Sequence, residues 1–225
     1  MDGHADLATV GAAIGDPARA LMLNALLGGR ALPATDLARI GRVAPSTASG
    51  HLARLAEVRL VEVERQGRHR YYRLAGPDVA HALEALAAVA PAATTHSLSA
   101  ARASDAERAA RSCYDHLAGQ LGMALTDALV DAGALERSSL ALADPAPFTA
   151  LGVDAEAAPP GRRPLTRACL DWSERRHHLA GHLGAALLDS LLERAWVTRA
   201  PRGRALRLTG DGRQGLDRVL GVTLR

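Results

Sequence analysis

Residues 44–58, APSTASGHLARLAEV, and residues 60–74, LVEVERQGRHRYYRL, stand one arginine apart, and together they decide the fold. In the first stretch Ala48, Leu52 and Leu55 fall at helical spacing as one apolar stripe. Ser46, Thr47, Ser49, Gly50 and His51 take the other side. The second stretch alternates apolar and polar through Val61 and Val63, turns at Gln66-Gly67 and returns through Tyr71, Tyr72 and Leu74, which is the period of a hairpin. Arg65, Arg68, His69 and Arg70 gather at its tip. Short polar side chains at a helix start let the backbone approach a major groove and offer hydroxyls to base edges or phosphates. A basic loop beside it reaches the backbone or the minor groove.

The flanking sequence supplies the other helices. Asp16-Pro17 opens a segment with Leu21, Leu23, Leu26 and Leu27 at helical spacing, and Gly28-Gly29 stops it. A second, short helix starts at Thr35, whose hydroxyl caps it, with Leu37 and Ile40 as its apolar face and Gly41 as its terminator. All basic side chains of the chain are arginine, and between Arg39 and Arg73 eight arginines face only Glu57, Glu62 and Glu64. An anionic partner docks where that excess lies.

In its order and residues, Asp16 to Leu74 resembles the winged helix-turn-helix of the ArsR family: DPARALMLNALL, TDLARI, APSTASGHLARLAEVRLVEV and RQGRHRYYRL follow one another as that family's elements do. The resemblance implies a DNA-binding transcriptional regulator, a homodimeric repressor that grips double-stranded DNA at a near-palindromic operator. Pro45, Ser46, Thr47, Ser49, His51, Arg65, Arg68, His69 and Arg70 would form the DNA face. It also implies pairing of the terminal helices, Leu7 to Ile14 and Val79 to Val89. Two departures are visible: Ala44 stands where a Ser or Thr cap is usual, and Gly50 where a larger polar residue is frequent. The family's commonest metal sites look absent, because the helix from Thr35 carries no cysteine and Asp78 with His81 lacks a downstream His and acidic pair.

Composition bounds the alternatives. The chain has 225 residues, 48% of them apolar and 3% aromatic, with a formal net charge of +3. That is enough to bury a core in one large or two small domains. No run approaches the roughly 18 uncharged apolar residues of a membrane span, and the first residues lack a basic segment followed by an apolar one, so the expected location is cytoplasmic. A glycine-rich nucleotide loop and an evident nucleophile motif are missing, which argues against an enzyme. The competing classes are a metal- or redox-sensing interaction protein and a thiol-dependent enzyme with a winged-helix dimerisation domain.

Residues 1–93 are read as the DNA-binding and dimerisation domain, 94–104 as a linker, and 105–225 as a regulatory domain. The fold class is mainly α with small β-hairpins. The regulatory half holds an internal repeat: HLAGQLGMALTDAL, His116 to Leu129, matches HLAGHLGAALLDSL, His178 to Leu191, at ten of fourteen positions. Two equivalent helices and an approximate twofold axis follow. Ala118, Gly119 and Gly122, with Ala180, Gly181 and Gly184, are expected to let these helices approach closely. Asp171 and Glu174 have capping-box spacing. A helix starting there would set His178 and His182 one turn apart, as another would set Cys113 and His116.

Cys113, His116, Cys169, Asp171, Trp172, Glu174, Arg175 and His178 are accordingly read as an effector pocket between the repeats. Cys113, His116, Cys169, His178 and His182 are the candidate metal ligands, and a thiolate there could instead meet an oxidant. The sequence names no particular cofactor; a metal ion or a small-molecule effector is what such a pocket would take. The alternative is structural, with cysteine as a small hydrophobe and the polar groups as caps and ion pairs. The Cys169-Leu170-Asp171-Trp172 stretch also resembles a motif in the second domain of some ArsR-like regulators, without naming a ligand. The last residues read as helix, strand, basic turn at Arg202-Gly203, strand and helix, a degenerate second winged helix. Arg199, Arg202, Arg204 and Arg207 are more simply a solvated hairpin than a phosphate contact.

Overall fold

Asp16 caps a helix: its carboxylate accepts from the Arg19 backbone N–H at 2.9 Å, and Pro17 occupies the first helical position. The computed structural model describes residues 6–67, 69–91, 98–157, 161, 163–201 and 203–221. The chain divides into two compact units, Met1–Leu83 and Glu84–Arg225, with helix α5 running across the division.

In the first unit, α1 (Leu7–Ile14), α2 (Pro17–Leu26), α3 (Ala34–Gly41) and α4 (Pro45–Glu57) precede a sheet in the order β1-β3-β2, made of β1 (Leu32–Pro33), β2 (Val61–Gln66) and β3 (His69–Leu74). Antiparallel register pairs Val61 with Leu74 and Gln66 with His69, and Gly67 takes a left-handed φ of 59° in the turn. Ala48, Leu52 and Leu55 are fully buried, as their spacing requires, where α4 packs on α2 and α3, whose Met22, Leu23, Leu26 and Leu37 are buried as well. This is the winged helix-turn-helix.

Three local expectations change. Leu21 is 41% exposed and Met22 takes its inward place, one position further round α2. The second helix starts at Ala34 without a side-chain cap, so Thr35 lies inside its first turn. Leu32 and Pro33 are already held extended against Tyr72 and Tyr71, which carries the chain into the helix one residue early. Its end is made by Arg42, left-handed at φ 56°, rather than by Gly41.

The second unit takes in the part of α5 (Pro77–Val89) beyond Leu83, then α6 (Leu98–Ala109). Residues 98–104, read as linker from their weak periodicity, are therefore helical, since alanine is the strongest helix former; residues 92–97 lie outside the described residues. Two hairpin-plus-helix units follow: β4 (Arg111–Cys113), β5 (His116–Ala118) and α7 (Gly119–Asp131), then β6 (Arg167–Leu170), β7 (His177–Ala180) and α9 (Gly181–Glu193). A short helix, α8 (Ala146–Ala150), lies between them. The hairpin of β8 (Val197–Arg199) and β9 (Leu206–Leu208) and helix α10 (Gly210–Leu220) end the chain's described course. Leu117, Leu121, Leu125 and Leu129 of one repeat and Leu179, Leu183, Leu187 and Leu191 of the other share a core with Phe148, Val197 and Leu216.

The repeat is real, but its cysteines and histidines lie on strands. The stretch after Asp171 forms the turn of a hairpin in place of a new helix, because the Asp171 carboxylate accepts from the backbone N–H groups of Ser173 at 2.8 Å and Glu174 at 3.1 Å, closing a tight loop. The repeat glycines act at strand-to-helix junctions. Gly119 and Gly181 are left-handed at φ 77° and 83°, and a Cβ there would sit 2.6 Å from the Arg108 carbonyl oxygen and 2.8 Å from the Thr166 carbonyl carbon. Gly122 and Gly184 press on the carbonyls of Leu117 and Leu179, each on its own preceding strand. Gly119→Ala is expected to destabilise the protein by about 2 kcal/mol or more, from the positive φ and the backbone clash. Gly50→Ala, in open space in α4, should stabilise by roughly 0.5–1 kcal/mol; urea denaturation followed by circular dichroism measures both.

Candidate nucleic-acid interface and buried thiol and imidazole cluster

Helix α4 starts without a side-chain cap, since its N-cap residue is Ala44 and Pro45 stands at its first turn. The first backbone N–H groups of the helix are thus left for an external acceptor, and a helix N-terminus favours phosphate. Pro45, Ser46, Thr47 and Ser49 are all exposed around this end. The Ser49 hydroxyl donates to the Pro45 carbonyl at 3.0 Å.

His51 is turned elsewhere: Arg19 lies 3.2 Å from its Nδ1, Asp16 lies 3.8 Å away, and the ring is half-buried against the start of α2. Its residue type and position on α4 suggested the outer face; the neighbouring helix claims it.

On the wing, Arg65 and Arg70 are cross-strand partners, both exposed, and His69 stands exposed at the turn end of β3 with its ring 6.4 Å from that of Tyr71. Arg68 lies outside the described residues. In the C-terminal hairpin Arg207 is exposed, whereas Arg204 is buried and paired with Glu84 and Glu107, which removes it from any phosphate-binding surface. Arg202 is likewise outside the described residues.

The second unit holds a different chemistry. Cys113 and His116 are register partners across one hairpin and Cys169 and His178 across the other. The two pairs meet: their ligand atoms all lie within 4.8 Å of one another, and all four residues are buried. The two Sγ atoms are 3.8 Å apart, and the imidazoles stack with centroids 5.1 Å apart. Ala118 and Ala180 wall the cysteines. These four side chains are the donor set that could hold a metal ion.

Their electrostatics are coupled. The Cys113 thiol donating to Cys169, together with the imidazoles beside it, holds the Cys169 thiol well below the ordinary range despite burial. The same contact and desolvation push Cys113 up. Burial alone would lower His116, but Asp115, 3.2 Å from its Nδ1, and the Cys169 sulfur outweigh it and raise its pKa to about 9.

Asp171 and Arg111 lie at the base of the cluster, and both are fully buried. Asp171 Oδ1 accepts from Arg111 at 2.9 Å, and Oδ2 accepts from the Gly119 N–H at 2.7 Å and stands 3.7 Å from His178 Nδ1. The Arg111 guanidinium lies 4.7 Å over the Trp172 ring. The remaining residues read as pocket do not join the four: Trp172 stacks on Arg111, Glu174 accepts from Ser173 at 3.2 Å, Arg175 is exposed in the loop, and His182 lies on α9.

Arg111 and Glu84 carry weight that the sequence reading did not give them, and Arg204, read there as part of a solvated hairpin, is a buried ion-pair partner. One signal was there, the shared spacing of Arg111-Ser112-Cys113 and Arg167-Ala168-Cys169, which extends the repeat upstream.

Comparison with known proteins agrees with the first unit. Residues 16–63 match the model for bacterial regulatory proteins of the arsR family. Over 97% of its length the chain is 41% identical to YdfF of Bacillus subtilis (strain 168), an uncharacterized HTH-type transcriptional regulator of which 99% is covered. It is also similar to two solved structures, each at a TM-score of 0.33. One is a homodimeric winged helix-turn-helix DNA-binding domain from Mycobacterium bovis, at 32% identity over 38% of this chain and 86% of that one. The other is the cadmium metal-sensor CMTR from Mycobacterium tuberculosis, at 37% identity over 40% and 93%. Among the described residues no helix is long and apolar enough to cross a membrane.

Removing the charge at the base of the cluster should be severe. Asp171→Asn leaves Arg111 buried without its counter-charge, and the expected loss is about 3–5 kcal/mol of stability in urea denaturation.

Proposed function

We propose, for a chain that belongs to the ArsR family of bacterial regulatory proteins and is a DNA-binding transcriptional regulator, that it works as an effector-responsive homodimeric repressor on a near-palindromic operator. The observation that carries this reading is the outer face of α4. An uncapped helix start ringed by exposed Ser46, Thr47 and Ser49 stands in the same winged helix-turn-helix as the exposed Arg65 and Arg70 pair.

In the proposed complex α4 enters the major groove, its first N–H groups facing a phosphate, and the wing grips the flanking backbone. Two copies set their α4 helices roughly 34 Å apart on successive turns of the duplex. Pairing through the terminal helices is supported by apolar side chains left in water: Leu7 of α1 is 76% exposed, and Leu86 and Val89 of α5 are 49% and 80% exposed. The effector is taken by the second unit, at the Cys113, His116, Cys169 and His178 cluster. Because coupling between sites is reciprocal, an effector that loosens the operator complex must itself bind the free protein more tightly.

The DNA face is tested with fluorescence anisotropy across a salt series. Arg65→Ala with Arg70→Ala should weaken operator and random duplex alike and lower the slope of log affinity against log salt by about one for each phosphate that is no longer neutralised. Ser46→Ala or Thr47→Ala should instead shift the preference between operator and random sequence. If both sets bind every duplex as tightly as the parent, α4 and the wing are not the DNA face.

A further inference from the structure

We infer that Cys113, His116, Cys169 and His178 form a tetrahedral two-sulfur, two-nitrogen site for one thiophilic d10 divalent cation of the Zn2+ kind. The coordination stands on the cluster's own geometry; its consequence for DNA rests on the reading of the second unit as the sensing half.

The separation of the sulfurs is the first argument. A tetrahedral ion with Zn–S bonds of about 2.3 Å spaces its sulfurs about 3.8 Å apart, and Cys113 Sγ and Cys169 Sγ are 3.8 Å apart. A disulfide would need about 2.05 Å. The imidazoles supply the second. His116 Nδ1 faces Asp115 at 3.2 Å, which leaves Nε2 as the atom for a ligand, and that Nε2 is buried with no hydrogen-bond partner. His178 is fully buried and neither of its ring nitrogens has a partner. A core built only for packing would leave these three buried nitrogens unsatisfied at a cost of about 1–3 kcal/mol each, whereas a cation takes one nitrogen from each ring.

Carboxylates take the place behind the ligands. Asp115 lies behind His116, and Asp171, 3.7 Å from His178 Nδ1, lies behind the other imidazole; outer carboxylates of this kind fix ring orientation and raise ligand basicity. No carboxylate is among the four donors, so the site does not suit Mg2+ or Ca2+, which take oxygen ligands. On binding, two protons leave the four-residue donor set for solvent, so that two thiolates and two neutral imidazoles face the ion and the thiolates balance its two positive charges.

The site also has a route outward. Each hairpin contributes one cysteine and one histidine, so an ion ties the two repeats together. Ser112, next to Cys113, donates its N–H to the Arg204 carbonyl at 2.9 Å, and the Arg204 side chain pairs with Glu84 on α5, the helix that presents Leu86 and Val89.

The test uses the reduced, chelator-stripped full chain under nitrogen, titrated with Co2+ as a spectroscopic stand-in. The expected result is one Co2+ per chain with the intense visible bands of a tetrahedral ion and a sulfur-to-cobalt charge-transfer band, both abolished by one equivalent of Zn2+. Cys169→Ser and His178→Gln should weaken uptake at least 100-fold, and His182→Ala should leave it unchanged. Since buried variants can fail to fold, the parent protein decides: no uptake, or only the weak absorption of an octahedral ion, overturns the site. So does rapid closure of a Cys113–Cys169 disulfide in air with no uptake by the reduced form. Duplex binding with and without Zn2+ is read separately by anisotropy. A tetrahedral spectrum with unchanged DNA affinity keeps the site and overturns the sensing role, and absence of duplex binding at low salt overturns the DNA reading alone.

Discussion

The second half of the molecule depends on one carboxylate. Asp171 is wholly buried, and its two oxygens serve different parts of the chain: one takes Arg111 and the loop N–H groups of Ser173 and Glu174, and the other takes the N–H of Gly119. It therefore shapes the turn of the second hairpin while sitting at the N-terminus of the first repeat's helix, where a negative charge is favourable. A buried charge held by this many donors stays ionised, and burial is outweighed first by Arg111. If that carboxylate is removed, the β6–β7 loop loses its direct bond to the first N–H of α7.

A second bond locks the repeats in the same sense. Thr126 donates to the Gly122 carbonyl within α7 and accepts from the Leu179 N–H of β7 at 3.0 Å. The corresponding position in the other copy is Leu188, fully buried in the shared core. The twofold is thus kept in the backbone and in the leucine core and given up where a polar link needs only one partner. Sulfur and imidazole collect where the hairpins meet, because register puts one Cys and His pair on each and the surrounding alanines leave room between them.

In the first half the balance is reversed. Its core is ordinary, with Ala48, Leu52 and Leu55 of α4 packed against α2 and α3, and the chemistry sits outside. The missing cap at Ala44 weakens α4 by about 1 kcal/mol relative to Ser or Thr, partly offset by Pro45. The same omission leaves N–H groups open at the end of the helix that faces DNA in the proposed complex.

How much of this was legible depends on the range of the interaction. The winged helix-turn-helix could be read because its signals are local: a 3.6-residue stripe through Ala48, Leu52 and Leu55, then a two-residue alternation around Gly67. The repeat could be read because identical leucines recur in one order. The partnership of its cysteines and histidines could be named but not placed. Cys113 and His116 are three residues apart and Cys169 and His178 nine, and only antiparallel pairing makes the two spacings equivalent. Helical spacing suggested His178 with His182, and strand geometry separated them. Arg204 looked like a solvated tip and is buried, and His51 looked outward and meets Arg19. In each case sequence determined the residue and its local period, while long-range packing decided which charge or ring it would face, since that choice is made by groups as many as 120 positions away.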